Sequence, residues 1–167
     1  MTQEKTLILT FTEEDVMNAI EEKKNEPSQT VIVGLDFPAW SKLRKNNIPY
    51  KTPSEYFDER KSDFVDREAI RLARTWFEPV AEKLTYHQIC LGEMVEYDFA
   101  FIFIDALRCI EIAKNIFKKE KPSNILLTKN IPMLKPNTIR YEALSTSVEY
   151  MAKKQKISFS YLHTSGN

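Results

Sequence analysis

Glycine is scarce in this chain: Gly34, Gly92 and Gly166 are the only three among 167 residues. That scarcity excludes the loops that bring phosphate against backbone. The Rossmann fingerprint places three glycines in the turn after the first strand. Here residues 10–15 read Thr-Phe-Thr-Glu-Glu-Asp, with acids where a pyrophosphate would sit. A P-loop needs GxxxxGK[ST] and a nucleophile elbow needs GxSxG, and the chain has neither. Cysteine is nearly as rare. Cys90 and Cys109 make no disulfide framework and suit a reducing compartment. A charge surplus is also missing, because Lys plus Arg and Asp plus Glu both number 24. A dedicated nucleic-acid binder carries a basic excess, so no nucleic-acid partner is expected. No apolar run is clean enough for a membrane span, which needs about 20 mostly apolar residues. Residues 1–5 are polar and show no leader or transit pattern, so a cytoplasmic location is expected.

What the chain does have is one long apolar stretch over residues 94–117. Val95, Phe99, Ile102, Phe103, Ala106, Leu107, Ile110, Ala113 and Phe117 recur at helical spacing. Glu96, Asp98, Asp105, Arg108 and Glu111 interrupt it. The pattern predicts a helix apolar on most faces, lying under other elements. Around it, residues 6–11, 30–35, 124–128 and 157–162 read as strands, with 48–51 as a brief further one. Thr12 reads as the cap of a helix to about residue 24, with Val16, Met17 and Ile20 inward. A short helix is expected over 39–45. A long amphipathic helix is expected over 63–84, kinked at Pro79. Residues 130–136 read as a loop, and Asn137 as the cap of a helix over 138–155. This alternation predicts one α/β domain over residues 1–167. It is a three-layer, Rossmann-like domain with a mostly parallel sheet of four to five strands, helices on both faces and two long consecutive middle helices.

Ligands of open α/β sheets bind beyond the carboxyl ends of the strands. The expected ligand-binding residues are therefore Thr12, Asp36, Phe37, Lys129 and Asn130, with Thr10, Thr128 and His163 nearby. Asp36 either holds a ribose or sugar hydroxyl or caps the following helix. His87 and Cys90 have a spacing compatible with two metal ligands. A zinc site needs three or four, so no metal is expected. Arg67, Arg71 and Arg74 line one helix face. Asp63, Glu68 and Glu78 stand within pairing distance along the chain, and a solvated, salt-bridged face is expected. Glu93, Glu96 and Asp98 are a carboxylate cluster that also complements a helix N-terminus. Trp40, Tyr50, Tyr56 and Phe57 offer either a sugar-stacking surface or a lid on the core. No nucleophile–base set is visible, and no cofactor is expected.

Two stretches carry a family likeness. One is Ile48-Pro-Tyr-Lys-Thr-Pro-Ser-Glu-Tyr-Phe with the later Ala73-Arg-Thr-Trp76-Phe, and the other is Leu91-Gly-Glu-Met-Val-Glu-Tyr-Asp-Phe. Over roughly residues 30–160 the chain resembles the N-terminal Rossmann-like domain of GT-B-type glycosyltransferases of surface-carbohydrate biosynthesis. The resemblance implies an acceptor-side half, non-catalytic alone, that faces a second C-terminal domain or associates with copies of itself. It transfers no catalytic residue to this chain. The rival expectation is a stand-alone domain that binds a nucleotide or metabolite, or a protein, without catalysis.

Overall fold

A computed structural model describes residues 5–25, 29–128 and 138–162. In chain order the elements are β1 (Lys5–Thr10), α1 (Glu13–Asn25), β2 (Gln29–Gly34) and α2 (Phe37–Lys45). After two 3-10 turns come α3 (Ser62–Thr75), a third such turn at Glu78–Val80, and α4 (Ala81–Leu84). A hairpin of β3 (Thr85–Tyr86) and β4 (Ile89–Cys90) precedes α5 (Leu91–Met94) and α6 (Glu96–Glu120). Then β5 (Asn124–Leu127), α7 (Thr138–Gln155) and β6 (Ser158–Tyr161) complete the order.

The main sheet is parallel, in the order β2-β1-β5-β6. Alternation along β1 divides the interior into two layers. Leu7 and Leu9 face α6 and α7, among Val33, Leu35, Ile112, Ile116, Ile125, Leu127, Leu144 and Val148. Ile8 faces the other way, towards Val16 and Ala19 of α1 and Ala39 and Leu43 of α2. The expected three-layer, Rossmann-like arrangement is therefore the observed one. Each large side chain so buried contributes roughly 1.5–3 kcal/mol of transfer free energy.

Several local expectations need correction. The strand expected over 48–51 is a single bridge, Lys51 to Val33, on the edge of β2. The helix expected to kink at Pro79 ends at Thr75, because proline interrupts the hydrogen-bond ladder and the chain re-forms as a 3-10 turn. Met17 is exposed. The loop expected over 130–136 lies outside the described residues.

The sequence reads 85–88 as a polar linker and 89–91 as a short extended piece; β4 occupies the latter, but its pairing with β3 has no sequence signal because the turn residues, His87 and Gln88, both adopt positive φ without being glycine or asparagine. Tight two-residue hairpins prefer Asn-Gly there. Replacing His87-Gln88 by Asn-Gly should slow amide exchange at Tyr86 and Ile89 by about tenfold, the equivalent of ~1.4 kcal/mol of relieved backbone strain. Unchanged exchange would mean that the hairpin opens together with α4 and α5.

The largest correction concerns α6. Its last residue, Glu120, meets Lys5 at the start of β1, so α6 runs antiparallel to the strands. All its buried residues lie from Cys109 onward: Cys109, Ile112, Ala113, Ile116, Phe117 and Glu120. At 1.5 Å per residue that half spans roughly 17 Å, about one strand length. The half before Cys109 projects past the carboxyl ends of the strands. There it pairs with α3 to form a two-helix arm. Small Ala69 and Ala73 are buried on α3 and allow close approach. Arg108 reaches Ser62 and Asp66, Arg74 reaches Glu96, and Trp76 stacks on Phe99 with centroids 4.3 Å apart. The full burial expected for α6 fails here, because the sheet is shorter than the helix. Tyr97 remains 77% exposed and Phe101 59%.

At the opposite end, the amino ends of the strands close over a buried carboxylate. Glu120, whose side chain is 4% exposed, accepts from Lys5 Nζ and Lys51 Nζ at 2.6 Å each and from Tyr56 Oη at 2.7 Å. Burial opposes its charge, but the hydrogen bonds from Lys5, Lys51 and Tyr56 prevail and hold its pKa at about 2. Burial first, then the bond to Glu120, pushes the Tyr56 hydroxyl well above the usual phenol range.

Candidate functional site

The strand order places a switch point between β1 and β5: the chain leaves β1 for β2 on one side, and β5 continues to β6 on the other. Crevices of this kind are where open α/β sheets bind ligands. The residues around it come from the ends of β1, β2 and β5 and from the start of α7.

Asp15 fills the centre. Its Oδ2 accepts from Phe11 N–H at 2.9 Å, Thr12 N–H at 2.8 Å and Thr128 Oγ1 at 2.8 Å. In return Asp15 N–H donates to Thr12 Oγ1 at 3.1 Å, the reciprocal capping of a helix start. Asp15 is buried, and Glu13 and Glu14 stand exposed beside it. A helix N-terminus with free N–H groups attracts anions. Here the protein's own carboxylate ties up the two N–H groups just before the helix, and the exposed Glu13 and Glu14 disfavour a phosphate beside it.

Beyond this plug lie groups suited to neutral ligands. Asp36, after β2, caps α2 by accepting from Phe37 N–H at 2.8 Å. The cap reading is thus correct, and the second carboxylate oxygen remains for another donor. Tyr141 of α7 packs its ring on Phe11, centroids 5.1 Å apart, and donates from Oη to Asp36 Oδ1 at 3.4 Å. Phe37 presents a ring that is 70% exposed. Thr10 Oγ1 is buried without a hydrogen-bond partner.

The structure therefore gathers Thr10, Thr12, Asp36, Phe37 and Thr128 at the strand ends. Lys129, Asn130 and His163 lie outside the described residues. Tyr141 was not foreseen: it stands 105 positions from Asp36, and nothing local in the sequence joins them. Asp15 was read only as part of a cap, because the Thr128 bond depends on β5 lying next to β1.

The other constellations are placed as follows. Arg71 forms a two-pronged pair with Glu68, Arg74 pairs with Glu96, and Arg67 donates to the Asp63 carbonyl. His87 sits at the hairpin turn with φ 48° and Cys90 at its foot. Among the described residues no three His, Cys, Asp or Glu side chains are grouped to hold a metal. Tyr56 and Phe57 belong to the core, and Tyr50 packs on the α2 side. Trp40 is pinned by its Nε1 donating to the Gly34 carbonyl at 2.7 Å. Among the described residues no helix is long and apolar enough to cross a membrane. The chain matches no protein-family model and no curated protein.

Proposed function

We propose that this chain is the acceptor-side, Rossmann-like half of a glycosyltransferase-type carbohydrate-biosynthesis protein, non-catalytic alone. Its strand-end crevice takes the uncharged hydroxyl groups of a sugar. The observation that supports this reading is the Asp15 plug. It occupies the Phe11 and Thr12 N–H groups of the β1–α1 turn and leaves Asp36, Tyr141 and the Phe37 ring at the crevice mouth. A carboxylate beside an exposed aromatic ring suits a sugar, whose hydroxyls donate and whose C–H face stacks. A donor nucleotide would then be held by the facing domain, as the resemblance implies.

The test is a pair of NMR titrations of the isotope-labelled protein. Neutral mono- and oligosaccharides are expected to shift the Thr12, Asp36, Phe37 and Tyr141 resonances, whereas uridine diphosphate leaves the β1–α1 turn unmoved. Asp36→Asn keeps a capping side chain but loses the charged acceptor. It should weaken sugar binding by about tenfold, the loss of one hydrogen bond to a charged group. Diphosphate binding at Phe11 and Thr12 would overturn the reading in favour of a nucleotide-binding domain.

A further inference from the structure

We infer that the outer face of α2 binds the anionic group of an acidic saccharide. The inference rests on the sugar reading above and deepens it. Phe37, Trp40, Ser41, Arg44 and Lys45 line a hollow of about 290 Å³. They stand at i, i+3, i+4, i+7 and i+8, on one side of the helix. Ala39 and Leu43, on the other side, are buried. The hollow and the strand-end crevice share Phe37, whose N–H donates to Asp36 and whose exposed side chain lines the hollow.

One wall is fixed in advance. Trp40 Nε1 donates to the Gly34 carbonyl at 2.7 Å, and the indole fills the space that a Cβ on Gly34 would need, with Cδ1 2.5 Å from that position. The far end is cationic. Arg44 and Lys45 are exposed, and neither side chain has an ion-pair partner among the described residues. Lys42, close by on the helix, is paired with Glu13 at 3.4 Å. Cations at a helix C-terminus complement its dipole. That accounts for the charges, but not for the aromatic residues one and two turns before them. Arg44 stands seven positions after Phe37, roughly 10 Å along the helix axis. The hydroxyl that Asp36 accepts from and the charge that the cations attract are therefore on different parts of one ligand. An acidic saccharide has both parts. Its C–H faces suit Phe37 and Trp40, and its carboxylate or phosphate matches the forked N–H donors of Arg44.

The test is calorimetric and NMR titration of the full chain with two pairs of probes. One pair is a galacturonic acid tetrasaccharide and its neutral methyl ester. The other is a glucose tetrasaccharide with and without one phosphate. An acid is expected to bind about tenfold tighter than its neutral partner, the worth of one hydrogen bond to a charged group. The pair that shows the difference tells carboxylate from phosphate. Arg44→Gln/Lys45→Gln should abolish the advantage with an unchanged circular-dichroism spectrum, since both side chains are exposed. Lys23→Gln/Lys24→Gln removes the same charge from α1 and should keep it. No advantage for either acid, or equal loss in both variants, overturns the inference. Neutral probes that still shift Asp36 and Tyr141 would then leave the sugar reading standing. Uridine diphosphate that moves Trp40 and Ser41 more than the acids do would also overturn it, and give the hollow to a nucleotide. Acids held by Arg44 and Lys45 with Asp36 and Tyr141 unmoved would overturn the sugar reading and keep the anion site.

Discussion

Glu120→Gln is expected to cost about 3 kcal/mol of unfolding free energy at neutral pH, in the range for breaking a buried ion pair by removing one partner. That is a large share of the 5–15 kcal/mol typical of a domain. The effect comes from three donors aimed at one carboxylate from distant parts of the chain: Lys5 on β1, Lys51 on the β2 edge and Tyr56 in the following 3-10 turn. A neutral amide cannot accept from all three, and it leaves two ammonium groups without a counter-charge. The pH dependence gives an independent check. Glu120 ionises at about 2 in the folded chain and near its ordinary 4.5 when unfolded. Its contribution is therefore complete above about pH 4.5 and lost as the pH falls towards 2. Urea unfolding of wild type and variant should differ most at pH 7 and converge near pH 2. A gap that persists at pH 2 would mean that packing, and not charge, accounts for the loss.

Asp15→Ala is expected to destabilise the chain by a similar amount, about 3 kcal/mol, because it removes a buried carboxylate that accepts from two backbone N–H groups and the Thr128 hydroxyl. The same substitution should also create an anion site. With the carboxylate gone, Phe11 N–H and Thr12 N–H lie free at the start of a 13-residue helix. Inorganic phosphate should then raise the melting temperature of the variant more than that of the wild type. Equal responses would show that Asp15 acts as a helix cap and has no bearing on what the crevice can bind. Glu13 and Glu14 limit the gain, so Asp15→Ala/Glu13→Gln/Glu14→Gln should respond more strongly than Asp15→Ala.

How far the sequence could be read follows from which interactions are local. The four strands of the main sheet and α1, α2 and α7 follow from apolar period and from local signals such as the Thr12 cap and Pro38, all set within a few residues. The Thr12–Asp15 cap was visible for that reason. The second role of Asp15 was not, since Thr128 reaches it only when β5 lies beside β1. Nothing local marks Glu120, because its two lysines come from positions 5 and 51. The apolar period of α6 was read correctly as a helix but wrongly as full burial. Periodicity shows which side of a helix is apolar, but the length of the sheet decides how much of that side is covered. The extended piece at 89–91 was legible but its pairing into a hairpin was not, because the turn is built from His87 and Gln88, residues that carry no turn signal.

The strand order has a consequence for how the chain is made. β1 lies second in the sheet, between β2 and β5, and its pairing with β5 joins Thr6 to Asn124. During synthesis, the first strand must wait for more than a hundred residues before its second neighbour exists. Closing so long a loop is entropically costly and slows folding in chains rich in distant contacts. The α3–α6 arm lies wholly inside that interval and can assemble before the sheet is complete. It is then present on the nascent chain before β5 and β6 complete the sheet. The arm thus has to wait, with β1 and β2, for the last two strands before its inner half is covered.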